Sequence, residues 1–456
     1  MREGWFAVAA VAVLVVSLAG VAVAMTEEND DEHWTPDVPD VDATEAPTEP
    51  GVATVDDREF DSVQHAIDAA DPGDTVVLEG RFDERVVVDT PDVALVAAGP
   101  ETALIDGGGE GTVLTLAAEN VTVEDVWIRE SGSDRGNEDA GVLVGGAGST
   151  LSGLQLTDVT FGVWVDGVED VTVEETTIAG REAVQTLAQR GNGIHLWEAD
   201  GAVVRDNHIT TARDGIYYSW SSNVVAENNT MWDLRYGVHY MYSNDNRLEG
   251  NVAFDNDVGF ALMVSANLTI ANNTAIGNDG TSGHGILVKD IDRSEVRDNT
   301  LVANGNGLYV YNAQDNRLAD NLILENDVGI HITAGTQGET VVGNSFIENG
   351  QAALATTNAQ VAWNDSERGN YWSDARTVDR DGDGTSEIRH QPAGSLEALI
   401  HAEPRAGVFA ESPAFDTVRL AESSFPVVES PGAVDHRPLA NPPHEDWRSY
   451  YENHDH

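Results

Sequence analysis

His239, Met241 and Met263 are the residues of this chain whose types and spacing carry the sharpest chemistry. His239 and Met241 stand two apart, so on a β-strand both side chains leave the same face. Met263 follows Met241 by 22 residues, which is also the beat of a repeat running through the sequence. If that beat is one coil of a stack, the two thioethers sit on adjacent rungs, about 4.8 Å apart at the backbone. Thioether and imidazole together suit Cu(I), whereas hard carboxylate clusters suit Ca²⁺ or Mg²⁺. His195 falls in the column of His239, two repeats earlier. The alternative for the methionines is packing beneath the C-terminal segment or a partner.

A second group is Asp379, Asp381, Asp383 and Glu387. Acidic residues at loop positions 1, 3 and 5, glycine at 6 (Gly384) and glutamate at 9 resemble half of an EF-hand calcium loop. Position 12 is His390 where a bidentate glutamate is wanted, so weak calcium binding and a plain acidic turn both remain open. His444, His454 and His456 offer either a loose metal site or a disordered tail. Signals for catalysis are thin. No Gly-Lys-Ser/Thr phosphate loop occurs. Lys289, the single lysine, has only Asp290 beside it, where a polysaccharide lyase would need a calcium cluster next to its base. The outward columns defined below hold no carboxylate pair of the kind a glycosidase uses. Trp197, Trp220, Tyr217 and Tyr309 could stack on sugar rings, so a polysaccharide-binding or polysaccharide-cleaving protein is the rival reading.

The elements that position these residues follow from the repeat. Asparagine recurs at Asn207, Asn229, Asn251, Asn273, Asn299, Asn321 and Asn344, in steps of 22, 22, 22, 26, 22 and 23. Glycine keeps time at Gly215, Gly237, Gly259, Gly285, Gly307 and Gly329, and the longer step is a small insertion at Asp279–Gly283. A fixed period near this length marks a solenoid. After each glycine come Ile194, Ile216, Val238, Phe260, Ile286, Leu308 and Ile330, then two later Leu196, Tyr218, Tyr240, Leu262, Val288, Val310 and Ile332. Two further apolar columns run from Val204 to Val341 and from Ile209 to Phe346. Alternation turns these inward and predicts three short parallel sheets around one core: an all-β, right-handed parallel β-helix of about 22 residues per coil. Asn256, Asn278, Asn304, Asn326 and Asn349 suggest a second amide ladder at a turn. The amphipathic Ser62–Ala70 is a helix that caps the first coil. Insertions interrupt the stack at Glu130–Ala140 and Gly180–Arg190.

The positions between the apolar ones face out. Two after the glycine stand His195, Tyr217, His239, Ala261, Leu287, Tyr309 and His331, and four after it Trp197, Ser219, Met241, Met263, Lys289, Tyr311 and Thr333. Neither column contains an acidic residue in a chain of net charge −55. Such a strip is expected to be an exposed binding face. The charge itself excludes nucleic acid as a partner and reads as the surface of a halophile, kept soluble in concentrated salt. No cysteine is present, so disulfides play no part. Residues 1–25 read as a signal peptide or membrane anchor, the apolar run being 4–25, which makes the protein exported. Residues 26–56 read as an acidic linker, 57–365 as the β-helix and 366–456 as a C-terminal tail on or near it.

Several segments resemble the NosD family, maturation proteins of nitrous oxide reductase. These are Asp214–Ser221, Leu234–Ser243 (Leu-Arg-Tyr-Gly-Val-His-Tyr-Met-Tyr-Ser), Arg368–Asp374 with Asp379–Gly384, Phe425–Val427 and Asp435–Leu439. The similarity spans about residues 55–440. It implies an accessory rather than a catalyst, acting outside the cytoplasmic membrane with the permease and ATPase subunits of an ABC transporter. It also implies a membrane copper chaperone as donor, and apo nitrous oxide reductase, with its copper–sulfide centre, as recipient.

Overall fold

The computed structural model describes residues 36–39, 46–355, 360–392 and 434–449, all within one compact unit, Thr35–Ser449. The segment 1–35 with its apolar run, most of the linker, Phe425–Val427, His454 and His456 lie outside the described residues. Among the described residues no helix is long and apolar enough to cross a membrane.

The chain winds into a parallel β-helix. One sheet of 12 strands runs from Val86–Val88 to Gln351–Ala355, every strand pairing in parallel with those one coil before and after. Two further parallel ladders both start in Thr75–Phe82. Its first half pairs with Ala94–Ala97 and its second half with Ala103–Asp106. All four predicted apolar columns point into the lumen; Ile216, Tyr218, Ala226, Met231 and their equivalents are fully buried. Tyr218 and Tyr240 stack there, ring centroids 4.2 Å apart. The glycine column has a steric cause: a Cβ on Gly237 would stand 2.6 Å from the carbonyl oxygen of Gly259 on the next coil.

The asparagine column is a continuous hydrogen-bonded ladder. Asn229 Nδ2 donates to Asn251 Oδ1 (2.8 Å) and to the Val204 carbonyl (2.9 Å), while the Asn229 backbone N–H donates to the same Asn251 oxygen (3.0 Å). Each buried amide thus uses both hydrogens and both lone pairs of its oxygen. The residue before each rung (Asp206, Asn228, Gly250, Asn272, Asp298, Asp320, Gly343) has φ between 55° and 71°, which explains why Asp, Asn and Gly fill that corner. The second ladder, Asn256 to Asn349, has the same design.

Both ends are closed. The antiparallel pair Val52–Val55 and Arg58–Phe60 lies against Thr75–Phe82, and the helix Val63–Ile67, capped by Ser62, buries Val63, Ala66 and Ile67 over the first coil. At the other end the stack runs past residue 365. Asn344 Nδ2 donates to Asn370 Oδ1 (2.9 Å), Tyr371–Trp372 pairs with Ser345–Ile347, and Trp372 stacks on Phe346 at 4.3 Å. Asp435, fully buried, accepts from the Asn370 backbone N–H (2.7 Å) and from Trp372 Nε1 (2.9 Å). Two of the segments that carry the family resemblance are therefore halves of one structural clasp.

Two predictions concern stability. Asn251→Ala removes the acceptor for Asn229 and the donor to Ala226, so it is expected to cost about 3 kcal/mol or more in denaturant unfolding. Glu339 is buried, and that burial raises its pKa from 4.5 to about 8, although its Oε1 accepts from Asn316 Nδ2. The folded state therefore holds the proton that the unfolded state releases, and stability is lost as pH rises from 4.5 to about 8. The slope approaches about 1.4 kcal/mol per pH unit. Glu339→Gln should flatten that slope in unfolding curves measured between pH 5 and pH 8.

Candidate functional site: the outer strip of the 12-stranded sheet

The strip exists, but most of it is not exposed. His195 and His239 retain 8% and 7% of their surface, Ala261 none and Leu287 7%. Rungs this close make outward side chains cover one another. His195 lies between Trp164 (3.8 Å between ring centroids) and Tyr217 (4.7 Å), and Tyr217 then meets His239 at 4.8 Å. Trp197 and Tyr311 remain exposed, and Met241 and Met263 are half-buried. His239 pairs with Ala261 across the strands, and the Tyr242 N–H bonds the Val264 carbonyl at 3.0 Å, so the offset of 22 that relates Met241 to Met263 continues past them. Met263 packs against Val258, Ala261 and Leu287 of its own sheet.

A third outward column, one residue before the glycine, supplies what the spacing argument missed. Asp214 has no exposed surface. Its carboxylate accepts from Arg235 Nε (2.8 Å) and Nη2 (2.6 Å), and His239 Nδ1 lies 3.0 Å from Oδ2. Burial alone would raise the Asp214 pKa; the bonds from His239 and Arg235 outweigh it and hold the pKa below the ordinary carboxylate value. With Nδ1 turned to a carboxylate, His239 keeps Nε2 buried and without a partner. Carboxylate–imidazole pairs of this kind orient metal-ligating histidines and fix their tautomer. Asp214 stands three residues before Tyr217 in the His239 column, so strict alternation would turn it to the lumen; the break at Gly215 brings it outward, and the spacing gave no signal for it.

His195 belongs to a different environment. Asn192 Nδ2 contacts its Nδ1 at 3.2 Å, and burial pushes its pKa down to about 3. The Tyr217 ring stands between His195 and His239, so the structure does not gather them into one ligand set. Beside the methionines the corner is unusual. Trp220 (φ 57°) and Tyr242 (φ 55°) occupy left-handed backbone that Asp and Asn fill in other coils, and their exposed rings stack at 4.6 Å.

The acidic loop does converge: oxygens of Asp379, Asp381 and Asp383 lie within 4.8 Å of one another, all exposed. Those carboxylates are occupied by their own turn. Asp379 accepts from the N–H groups of Gly382 and Gly384, Asp383 from Thr385, and Glu387 from Arg380. His390 bridges to Asp435 instead of completing a cage. Calcium finds no support in this geometry. His444 is tied down rather than free, Nδ1 to Ser345 Oγ (2.8 Å) and Nε2 to the Asp320 carbonyl (3.2 Å).

Fold and strip together define a parallel β-helix with His, Met and aromatic residues along one sheet. Residues 174–377 match the family described as periplasmic copper-binding protein (NosD). The chain is 37% identical over 380 residues to the probable ABC transporter binding protein NosD of Pseudomonas aeruginosa, covering 80% of this chain and 87% of that one. It is 35% identical over 360 residues to the protein of the same name from Stutzerimonas stutzeri, covering 75% and 82%. The chain belongs to the NosD family. Among solved structures it resembles the mannuronan C-5 epimerase AlgE4 A-module of Azotobacter vinelandii, with 16% identity, TM-score 0.54, and 66% and 94% of the two chains covered. The AlgE6 A-module gives a TM-score of 0.52 at 16% identity, covering 66% and 92%. Those likenesses concern the fold.

Asp214→Ala would leave the Arg235 guanidinium half-buried without its carboxylate. A loss of about 3–5 kcal/mol in unfolding free energy is expected, with Asp214→Asn costing less.

Proposed function

We propose that this protein is a copper-handling accessory acting on the extracytoplasmic side of the membrane, in partnership with an ABC transporter. The observation that carries the reading is His239, aimed by Asp214 and with Nε2 lacking a hydrogen-bond partner, on the strip that also holds Met241 and Met263 one 22-residue step apart. Two thioethers and an imidazole form a donor set that favours Cu(I) over hard cations. The two thioethers are half-buried, which lets a bound ion remain exchangeable, as cargo requires. His195, walled off by Tyr217, is not part of this set, and neither is the loop of Asp379, Asp381, Asp383 and Glu387.

The names of the relatives support association with transporter permease and ATPase subunits. The family description supports copper and a periplasm-type location. The resemblance of the Leu234–Ser243 coil supports a membrane copper chaperone as donor and apo nitrous oxide reductase as recipient. No covalent chemistry is assigned to the chain itself. A second reading, polysaccharide binding, draws on the exposed Trp220–Tyr242 stack with Trp197 nearby in sequence.

Titration of the purified protein with Cu(I) separates the two. Wild type should bind saturably, Met241→Leu/Met263→Leu should weaken binding at least tenfold without altering the circular dichroism, and a glycan array should retain nothing. Unchanged Cu(I) affinity in the double variant, or specific glycan retention, would refute the copper reading.

A further inference from the structure

Away from the methionines, the same sheet carries buried N–H donors that the copper reading does not use. Trp164 Nε1 is buried with no hydrogen-bond partner, and so is His195 Nε2 on the ring stacked against it, 3.8 Å between centroids. Asn192 Nδ2 faces His195 Nδ1 at 3.2 Å, so the neutral ring presents its proton on Nε2, while Asn192 Oδ1 beside it is a buried acceptor also without a partner. Arg213 Nε is a third buried donor without a partner. Its backbone N–H bonds the Gly191 carbonyl at 2.7 Å, which seats it beside Asn192. The Arg213 side chain forms no ion pair among the described residues, in a chain with 79 acidic and 24 basic side chains. The adjacent Asp214 does not neutralise it, being taken up by Arg235 and His239.

Buried donors are almost always paired, and each orphan costs about 1–3 kcal/mol. Three of them, on Trp164, His195 and an Arg213 that has no ion pair among the described residues, describe a site whose acceptor arrives from outside. We infer that Trp164, His195 and Arg213 line a binding site for a small monovalent anion. Indole, neutral imidazole and guanidinium, walled by Phe161 and Tyr217, suit a weakly hydrated ion such as a halide or hydrosulfide. A strongly hydrated dianion would lose more water than these donors replace. Supporting this, the Arg213 pKa is held below its usual value, by burial first and then by the neighbouring Arg235 and Arg135 against the pull of Asp214. An anion would relieve that imbalance.

The inference does not rest on copper and is tested without it. Copper-free full-length protein in sodium sulfate is titrated with sodium bromide and, separately, with sodium hydrosulfide by calorimetry. Saturable binding of at least one is expected, with affinity reduced at least tenfold in Trp164→Phe, which keeps the ring packing, and in Arg213→Gln. Met241→Leu/Met263→Leu should bind as wild type does, so failure of the copper reading leaves this result readable. Saturation by both ions marks a general halide-type site, and by hydrosulfide alone a site for reduced sulfur. Absence of saturable binding by either ion, or wild-type affinity in both variants, would overturn the proposal.

Discussion

The hydrogen bond between stacked asparagine amides sets the register on which the rest depends. Each amide oxygen accepts twice from the coil before it, so a rung cannot slip by one residue without orphaning four buried groups. The extra residues at Asp279–Gly283 are consequently pushed into a corner, and Asn273 still meets Asn299 at 3.0 Å across a longer step. A rigid offset lets side chains far apart in sequence share a column. Met241 one step from Met263, and Tyr217 between two histidines, are products of that offset rather than of local sequence.

The lumen was legible because apolar residues alternate with a fixed beat, and solvent exclusion enforces that beat at every coil. The outer strip was only half legible. Its composition showed, but its burial did not, since burial there comes from neighbouring rings covering one another rather than from apolarity. Asp214 was hidden by its surroundings: in so acidic a chain one more aspartate carries no signal, and strict alternation would turn it to the lumen. The C-terminal closure was invisible for another reason. Asp435 reaches Asn370 and Trp372 from more than 60 residues away, and such a contact leaves no periodic trace. At Asp379–Glu387 the spacing correctly brought carboxylates together; what it could not show is that backbone N–H groups already fill them.

Likeness to alginate epimerases shows how little the stack says about activity, since fold and site are separable in solenoids. The inward columns must be apolar in any parallel β-helix. Outward columns are free to vary, and here two of them replace carboxylates with His, Met and aromatic residues. Coils 214–266 also break the corner rule, placing Trp220, Tyr242 and Val264 in left-handed backbone where Asp290 and Asn312 sit elsewhere.

The Asp214–Arg235–His239 cluster makes the same point energetically. The stack already has its hydrogen bonds from the amide ladders and its burial from the lumen. A buried carboxylate on the outer sheet must be desolvated, and well-packed apolar residues in place of such a pair are often neutral or stabilising by about 1–4 kcal/mol. One coil on, Tyr236 follows Asp214 and Ala261 follows His239, so the stack closes without a carboxylate–imidazole pair at those positions. What the charged cluster adds is orientation: Nδ1 of His239 is committed to Asp214, and Nε2 is left without a hydrogen-bond partner on the sheet that carries the two methionines.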